Sequence, residues 1–295
     1  MATMALFNMA VNWFIRQRID QIQNFMNHPI ETQKGVLFSQ LFHADETEYG
    51  RKYGFKDISS YRDFQQQVPI VNYEDFEPYI EKARQGQKDI IWPGYIRQFA
   101  KSSGTTNAKS KYIPISDESL EDCHYKAGKD LISIYANNHP ENQLFLNKNL
   151  RLGGSAELYE TFNTKFGDLS AILIENLPFW IEITTVPSKK TSLLSEWETK
   201  LKAIVSEVKN QDVGSLTGVP SWMLVLLQRI LTETGKGSIS EVFPNLEVFF
   251  HGGISFKPYK EQYRKIIGKG INYYEIYNAS EGFFGIQDRS GSDEM

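Results

Sequence analysis

In the last third of the chain, Leu246-Glu247-Val248-Phe249-Phe250 runs directly into His251-Gly252-Gly253, and residues 272–276 run into Tyr277-Asn278-Ala279-Ser280-Glu281-Gly282. Between the two, Tyr259, Tyr263, Ile266 and Ile267 recur at helical spacing. Short apolar runs closed by glycine or polar residues read as strands. The order is therefore strand, helix, strand, and each motif begins where a strand ends. In open α/β sheets ligands gather at the carboxyl ends of strands, so loops distant in sequence can share one crevice.

A further element stands earlier in the chain. Ser102-Ser103-Gly104-Thr105-Thr106 follows an apolar run from Tyr95 to Ala100 and precedes Lys109, Lys111 and a second apolar run. This reads as strand, loop, strand. Hydroxyls and backbone N–H groups around one permissive glycine, with ammonium groups close by, suit a polyphosphate. Taken alone, the same residues also suit an ordinary hairpin turn.

At 295 residues, with 41% hydrophobic, 23% charged and 13% aromatic residues, the chain can bury a large core and shows no low-complexity stretch. A formal charge of −4 without any basic face argues against nucleic acid as a partner. The single cysteine, Cys123, forms no internal disulfide, and no Cys/His group has zinc spacing, which points to a reducing, cytoplasmic setting. The start of the chain lacks a basic segment before its apolar residues and does not read as an export signal. No apolar run approaches the roughly 20 residues that span a bilayer, so no membrane partner is expected.

Val11, Phe14, Ile15, Ile19, Ile22 and Met26 predict an amphipathic first helix whose stripe packs on the protein. Residues 30–87 continue as short helices, broken at Tyr49 to Phe55 and ended at Gly86. Residues 1–88 thus form a helix-rich front part and residues 89–295 an α/β part. In the latter, Ile90–Trp92, Arg97–Ala100, Tyr112–Ile115, Gln143–Leu146 and Ala171–Leu173 are expected to be extended. Helices are expected over Asp117–Ala136 and Leu194–Val208, and over Trp222–Leu231 behind Pro220.

These loops have the parts needed for a carboxylate to attack the α-phosphate of ATP. Hydroxyls and lysines of the first loop, Ser103 and Thr105 foremost, would neutralise phosphate. Glu281 could anchor Mg²⁺, which takes one or two carboxylates and fills its shell with phosphate oxygens and water. Gly252 and Gly253 leave room for a flat base, and Tyr277 offers a ring for stacking. Each has a plainer reading: a tight turn for the glycines, a core aromatic for Tyr277 and a surface carboxylate for Glu281. Phe283 and Phe284 are expected in the core.

Taken together, Ser102 to Thr106 with Lys111 and Pro114, then Val219-Pro220-Ser221-Trp222, His251-Gly252-Gly253 and Tyr277 to Glu281, resemble the auxin-responsive Gretchen Hagen 3 family of acyl-acid amido synthetases. The resemblance in order and spacing covers most of the chain. It implies the large N-terminal domain of an adenylate-forming enzyme, an α/β fold of mixed sheets flanked by helices behind a helix-rich segment. It implies ATP and Mg²⁺ as cofactors, and a carboxylic acid and an amine acceptor, an amino acid, as partners; the alternatives are coenzyme A as acceptor after the same first step, or a non-catalytic module that binds ATP or an acyl acid. Ser102, Ser103, Gly104, Thr105, Thr106 and Lys111 would serve the phosphates, with Thr105 and Glu281 in catalytic roles. Gly252, Gly253, Tyr277, Asn278, Ala279 and Ser280 would enclose the adenosine, Glu281 would hold the metal, and Trp222 and Met223 would line the acyl pocket.

Two departures accompany the resemblance. Thr105-Thr106-Asn107-Ala108 stands where the wider superfamily prefers a second glycine. The family's Tyr-Arg-x-Gly-Asp motif and its mobile C-terminal domain have no counterpart before Met295. The expectation is a truncated product that adenylates slowly, since a closing domain excludes water and completes such sites.

Overall fold

The structure, a computed structural model, describes residues 2–102, 110–154, 158–161 and 163–292. Its strands are β1 (Gln98–Ser102), β2 (Lys111–Ile115), β3 (Lys148–Leu152), β4 (Leu158–Thr161), β5 (Thr164–Gly167), β6 (Thr185–Val186), β7 (Val213–Gly218), β8 (Val248–Gly252), β9 (Asn272–Ala279) and β10 (Gly282–Ile286). They form two mixed sheets, one in each of two compact units.

The first unit joins Met1–Asp122 to Leu158–Gly167. Its helices start where the sequence supplies caps: the Thr47 hydroxyl accepts from the Gly50 N–H before Glu48–Lys52, and that of Ser60 from the Asp63 N–H before Tyr61–Gln67. The expected break at Tyr49 to Phe55 therefore contains a short helix. In the Ala2–Asn27 helix Ile15 and Ile22 are buried, but Phe14 and Met26 remain exposed, so the packed stripe is narrower than the apolar spacing predicts.

The sheet of this unit runs β2-β1-β5-β4, with β1 antiparallel to β2 and parallel to β5. Its core gathers Ile80, Ala83, Ile90, Ile96 and Phe99. The Arg84 guanidinium lies 3.8 Å from the Tyr112 ring centroid, while the Tyr73 hydroxyl accepts from the Tyr112 N–H at 2.8 Å. Ile90–Trp92, expected to be extended, belongs to no strand: Ile90 is instead a core residue whose carbonyl accepts from the Tyr49 N–H.

The second unit joins Cys123–Glu157 to Asp168–Met295. Its sheet runs β10-β9-β8-β7-β3-β6, parallel throughout except for the β9–β10 hairpin. A parallel strand covered on both faces needs apolar residues at successive positions, and all five residues of β8 are buried. Alternation sends Phe249 towards Phe256 and Tyr263 of one core cluster, and Val248 and Phe250 towards Leu131, Tyr135 and Tyr274 of another.

Two expectations are corrected in this unit. Residues 171–173 lie inside the helix Leu169–Glu175, capped by the Asp168 carboxylate accepting from the Ser170 N–H. Gln143–Leu146 is a turn, and the strand begins at Lys148. The helix expected over Asp117–Ala136 is present, with a π-helical stretch over Ser119–Tyr125 before the α-helix Lys126–Asn138.

Candidate nucleotide site

Three of the sequence motifs leave adjacent strands of the second unit at the same end. In register, Gly218 of β7 pairs with His251 of β8, and Gly252 of β8 with Ile276 of β9. Val219-Pro220, His251-Gly252-Gly253 and Tyr277 to Glu281 therefore emerge side by side at the carboxyl ends of three parallel strands. This is where an open α/β sheet presents loops to a ligand.

The glycines are dictated by backbone approach. A Cβ on Gly252 would lie 2.2 Å from the Ile276 carbonyl oxygen, and Gly253 adopts φ 83°, a conformation that side chains disfavour. Both positions need glycine for these local reasons.

The Tyr277 motif caps the β9–β10 hairpin. Ala279 pairs with Gly282, leaving Ser280 and Glu281 as a two-residue turn. Tyr277 is no core aromatic: it is 54% exposed, with its ring centroid 5.2 Å from that of Phe284, itself 60% exposed. The expected burial of Phe284 fails because the ladder shifts register between Phe283 and Gly285, and such a bulge re-aims one side chain. The result is a pair of exposed rings suited to a flat base.

Glu281 is exposed at the turn and makes no hydrogen bond or ion pair with the described residues. Among them no group of three or more His, Cys, Asp or Glu could hold a metal unaided. One free carboxylate matches a Mg²⁺ that draws the rest of its shell from phosphate and water. Asn278 is directed elsewhere, its Oδ1 lying 3.0 Å from Nδ1 of the buried His124.

The residues expected at the acyl pocket part company. Trp222, in the first turn of the Pro220–Thr234 helix, is 39% exposed, whereas Met223 is wholly buried in the core. Beneath Trp222 lies a glycine turn that sequence reasoning missed: a Cβ on Gly154 would sit 3.1 Å from the indole. The Gly154 N–H donates to Ser170 Oγ at 2.9 Å, and the Ser170 hydroxyl donates to Asp168 Oδ1 at 2.6 Å. The buried Lys200 donates to the Gly154 carbonyl at 2.9 Å, its ammonium held below the usual lysine range by desolvation despite the Asp168 charge. The signal for this network is the pair Gly153-Gly154 directly after the apolar end of β3.

His251 packs face-on against Phe256, ring centroids 4.2 Å apart, and lines a cleft of about 180 Å³ with Tyr273, Glu275 and Gln287. Ordinary small-molecule pockets measure roughly 300–1,000 Å³, so this cleft is small for a nucleotide.

The hydroxyl loop belongs to the first unit. Ser102 and Lys111 pair across β1 and β2 and bring its two ends together. Ser103, Gly104, Thr105 and Thr106 lie outside the described residues.

The fold is shared with two solved ligases. A solved acyl acid amido synthetase, AtGH3.15 in complex with 2,4-DB, superposes with a TM-score of 0.74 at 17% identity, over 92% of this chain and 56% of that one. A 2-hydroxyisobutyryl-CoA ligase superposes with a TM-score of 0.51 at 13% identity, over 85% and 50% respectively. Residues 18–271 match the family model described as GH3 family N-terminal domain, and the chain belongs to the GH3 family.

Among curated relatives, the indole-3-acetic acid-amido synthetase GH3.3 of Arabidopsis thaliana is 33% identical over 90 residues, 30% of this chain and 15% of that protein. The jasmonoyl–L-amino acid synthetase JAR6 of Nicotiana attenuata is 32% identical over 104 residues, 35% and 18% respectively. The chain thus aligns with less than a fifth of these relatives by sequence and with little more than half of the solved amido synthetase by structure. Among the described residues no helix is long and apolar enough to cross a membrane.

Proposed function

We propose that this chain carries the nucleotide- and acid-binding part of an acyl-acid amido synthetase. A carboxylate attacks the α-phosphate of ATP, pyrophosphate leaves, and an amine then attacks the activated carbonyl to give an amide and AMP. Side-by-side emergence of the Val219, His251 and Tyr277 motifs from three parallel strand ends carries this reading. The names of the related synthetases supply the amide, with an amino acid as acceptor.

Each residue has a defined task. Tyr277 and Phe284 stack the base, and Gly252 and Gly253 border the adenosine. By the resemblance alone, phosphate neutralisation would fall to the hydroxyl loop, Ser102, Ser103, Gly104, Thr105, Thr106 and Lys111, with Thr105 donating to the leaving group. Glu281 would hold Mg²⁺, and the ion would supply charge neutralisation. Trp222 walls the acid, while Met223 supports that wall from the core. No covalent enzyme intermediate is required.

ATP–pyrophosphate exchange across a panel of carboxylic acids tests the first step, and product analysis with added amino acids tests the second. Exchange should depend on acid and fall at least tenfold in Glu281→Ala, the expected result of losing one metal-bound charge. A thioester formed with coenzyme A, and no amide, would reassign the acceptor. Unchanged Mg·ATP affinity in Glu281→Ala would refute the site.

A further inference from the structure

The hairpin that carries Tyr277 to Glu281 lies at the sheet edge, since β10 pairs only with β9 among the described strands. A two-stranded tip is marginal by itself, so a precise carboxylate there needs support from outside the ladder. That support comes from the π-helical stretch Ser119–Tyr125, a rare geometry often found at functional sites.

Two consecutive residues of this stretch reach the two strands of the hairpin. The Phe283 N–H donates to Cys123 Sγ at 3.3 Å, and His124 Nδ1 lies 3.0 Å from Asn278 Oδ1. Asn278 and Phe283 are themselves partners in the β9–β10 register, one step below the turn. Cys123 also stands against Gly282, where a Cβ would lie 3.6 Å from the sulfur. Both strands are therefore gripped at the base of the Ser280–Glu281 turn.

His124 is 4% exposed, and its Nε2 is buried with no hydrogen-bond partner among the described residues. A carboxamide oxygen only accepts, so Nδ1 carries the proton and Nε2 is left as an unused acceptor. An apolar side chain would fill this space without burying that nitrogen. What histidine adds at this position is the bond to Asn278.

We propose that His124 is a positioning residue: by donating to Asn278 it fixes the base of the Tyr277–Glu281 hairpin, and so the direction in which Tyr277 and Glu281 face a ligand. The positioning of the hairpin stands apart from the ligand's identity, and its effect on nucleotide rests on the function proposed above. It needs no contact between His124 and substrate.

The test uses the full chain as wild type, His124→Phe, which keeps bulk without a donor, and His124→Asn, which restores a donor near the Nδ1 position. Asn278→Ala serves as a second probe that leaves the helix untouched. Hydrogen exchange over residues 277–286 should quicken about tenfold in His124→Phe and Asn278→Ala, the equivalent of one hydrogen bond, with residues 246–252 unchanged. Mg·ATP affinity measured by calorimetry should weaken about tenfold in His124→Phe and return to within roughly threefold in His124→Asn.

If His124→Phe exchanges and binds like the wild type, the positioning role is overturned. It is equally overturned if His124→Asn is as impaired as His124→Phe, because bulk alone would then matter. If the wild type fails to bind Mg·ATP while exchange still quickens and is rescued, the grip on the hairpin is supported and the nucleotide function fails separately.

Discussion

Acid should loosen this protein through one imidazole. His251 is 3% exposed, stacked on Phe256, and its Nδ1 is buried with no hydrogen-bond partner among the described residues. Desolvation pushes its pKa down to about 4, whereas an unfolded histidine titrates near ~6.5. The folded state thus binds fewer protons than the unfolded chain between those values. Its contribution to stability is complete above the unfolded pKa and is lost as pH falls towards 4. An interval of that width corresponds to about 3 kcal/mol, at roughly 1.4 kcal/mol per pH unit.

The perturbation is His251→Phe, which keeps the ring stack and removes the titration. Urea unfolding of both proteins at several pH values between neutral and mildly acid gives the difference curve, in which all other acid-sensitive groups cancel. Near neutrality the two should agree to within about 1 kcal/mol, and the variant should gain on the wild type by about 2–3 kcal/mol on approaching the folded pKa. Parallel curves would refute the reasoning, as would an NMR titration of His251 with its midpoint near the unfolded value.

Gly252→Ala should destabilise the protein by about 1–3 kcal/mol in thermal unfolding, because its Cβ would meet the Ile276 carbonyl and the backbones of β8 and β9 would have to part. Arg84→Met should lose about 1 kcal/mol with the guanidinium over Tyr112, read as a lower melting temperature that Lys only partly restores. Trp222→Ala should widen the range of acids supporting pyrophosphate exchange and weaken the aromatic ones several-fold, since the indole is the exposed wall above Gly154.

Strand β8 was legible because a parallel strand buried on both faces leaves an unbroken apolar run, and glycine marks where it stops; β9 is only partly buried and runs past Tyr277 to Ala279, beyond its expected end. The same rule misled at Ala171-Ile172-Leu173, where an equally apolar run is helical; the deciding signal was the cap Asp168, three residues upstream. Strand β7 escaped notice because Ser215 and Thr217 interrupt it, and both accept hydrogen bonds from the Asn149 carboxamide across the sheet. Exposure of Phe284 depends on a register shift, and the grip of Cys123 and His124 on a π-helical turn. Neither has a composition or period that a single sequence displays.

The excursion at 158–167 has a consequence for how the protein can be handled and made. The sheet holding the hydroxyl loop borrows β4 and β5 from beyond the start of the second unit, so neither unit is one uninterrupted stretch of chain. Cutting the gene after Asp122 would leave β1 with a bare edge, a ready template for aggregation. During synthesis the first sheet must likewise wait, half built, until Gly167 has left the ribosome.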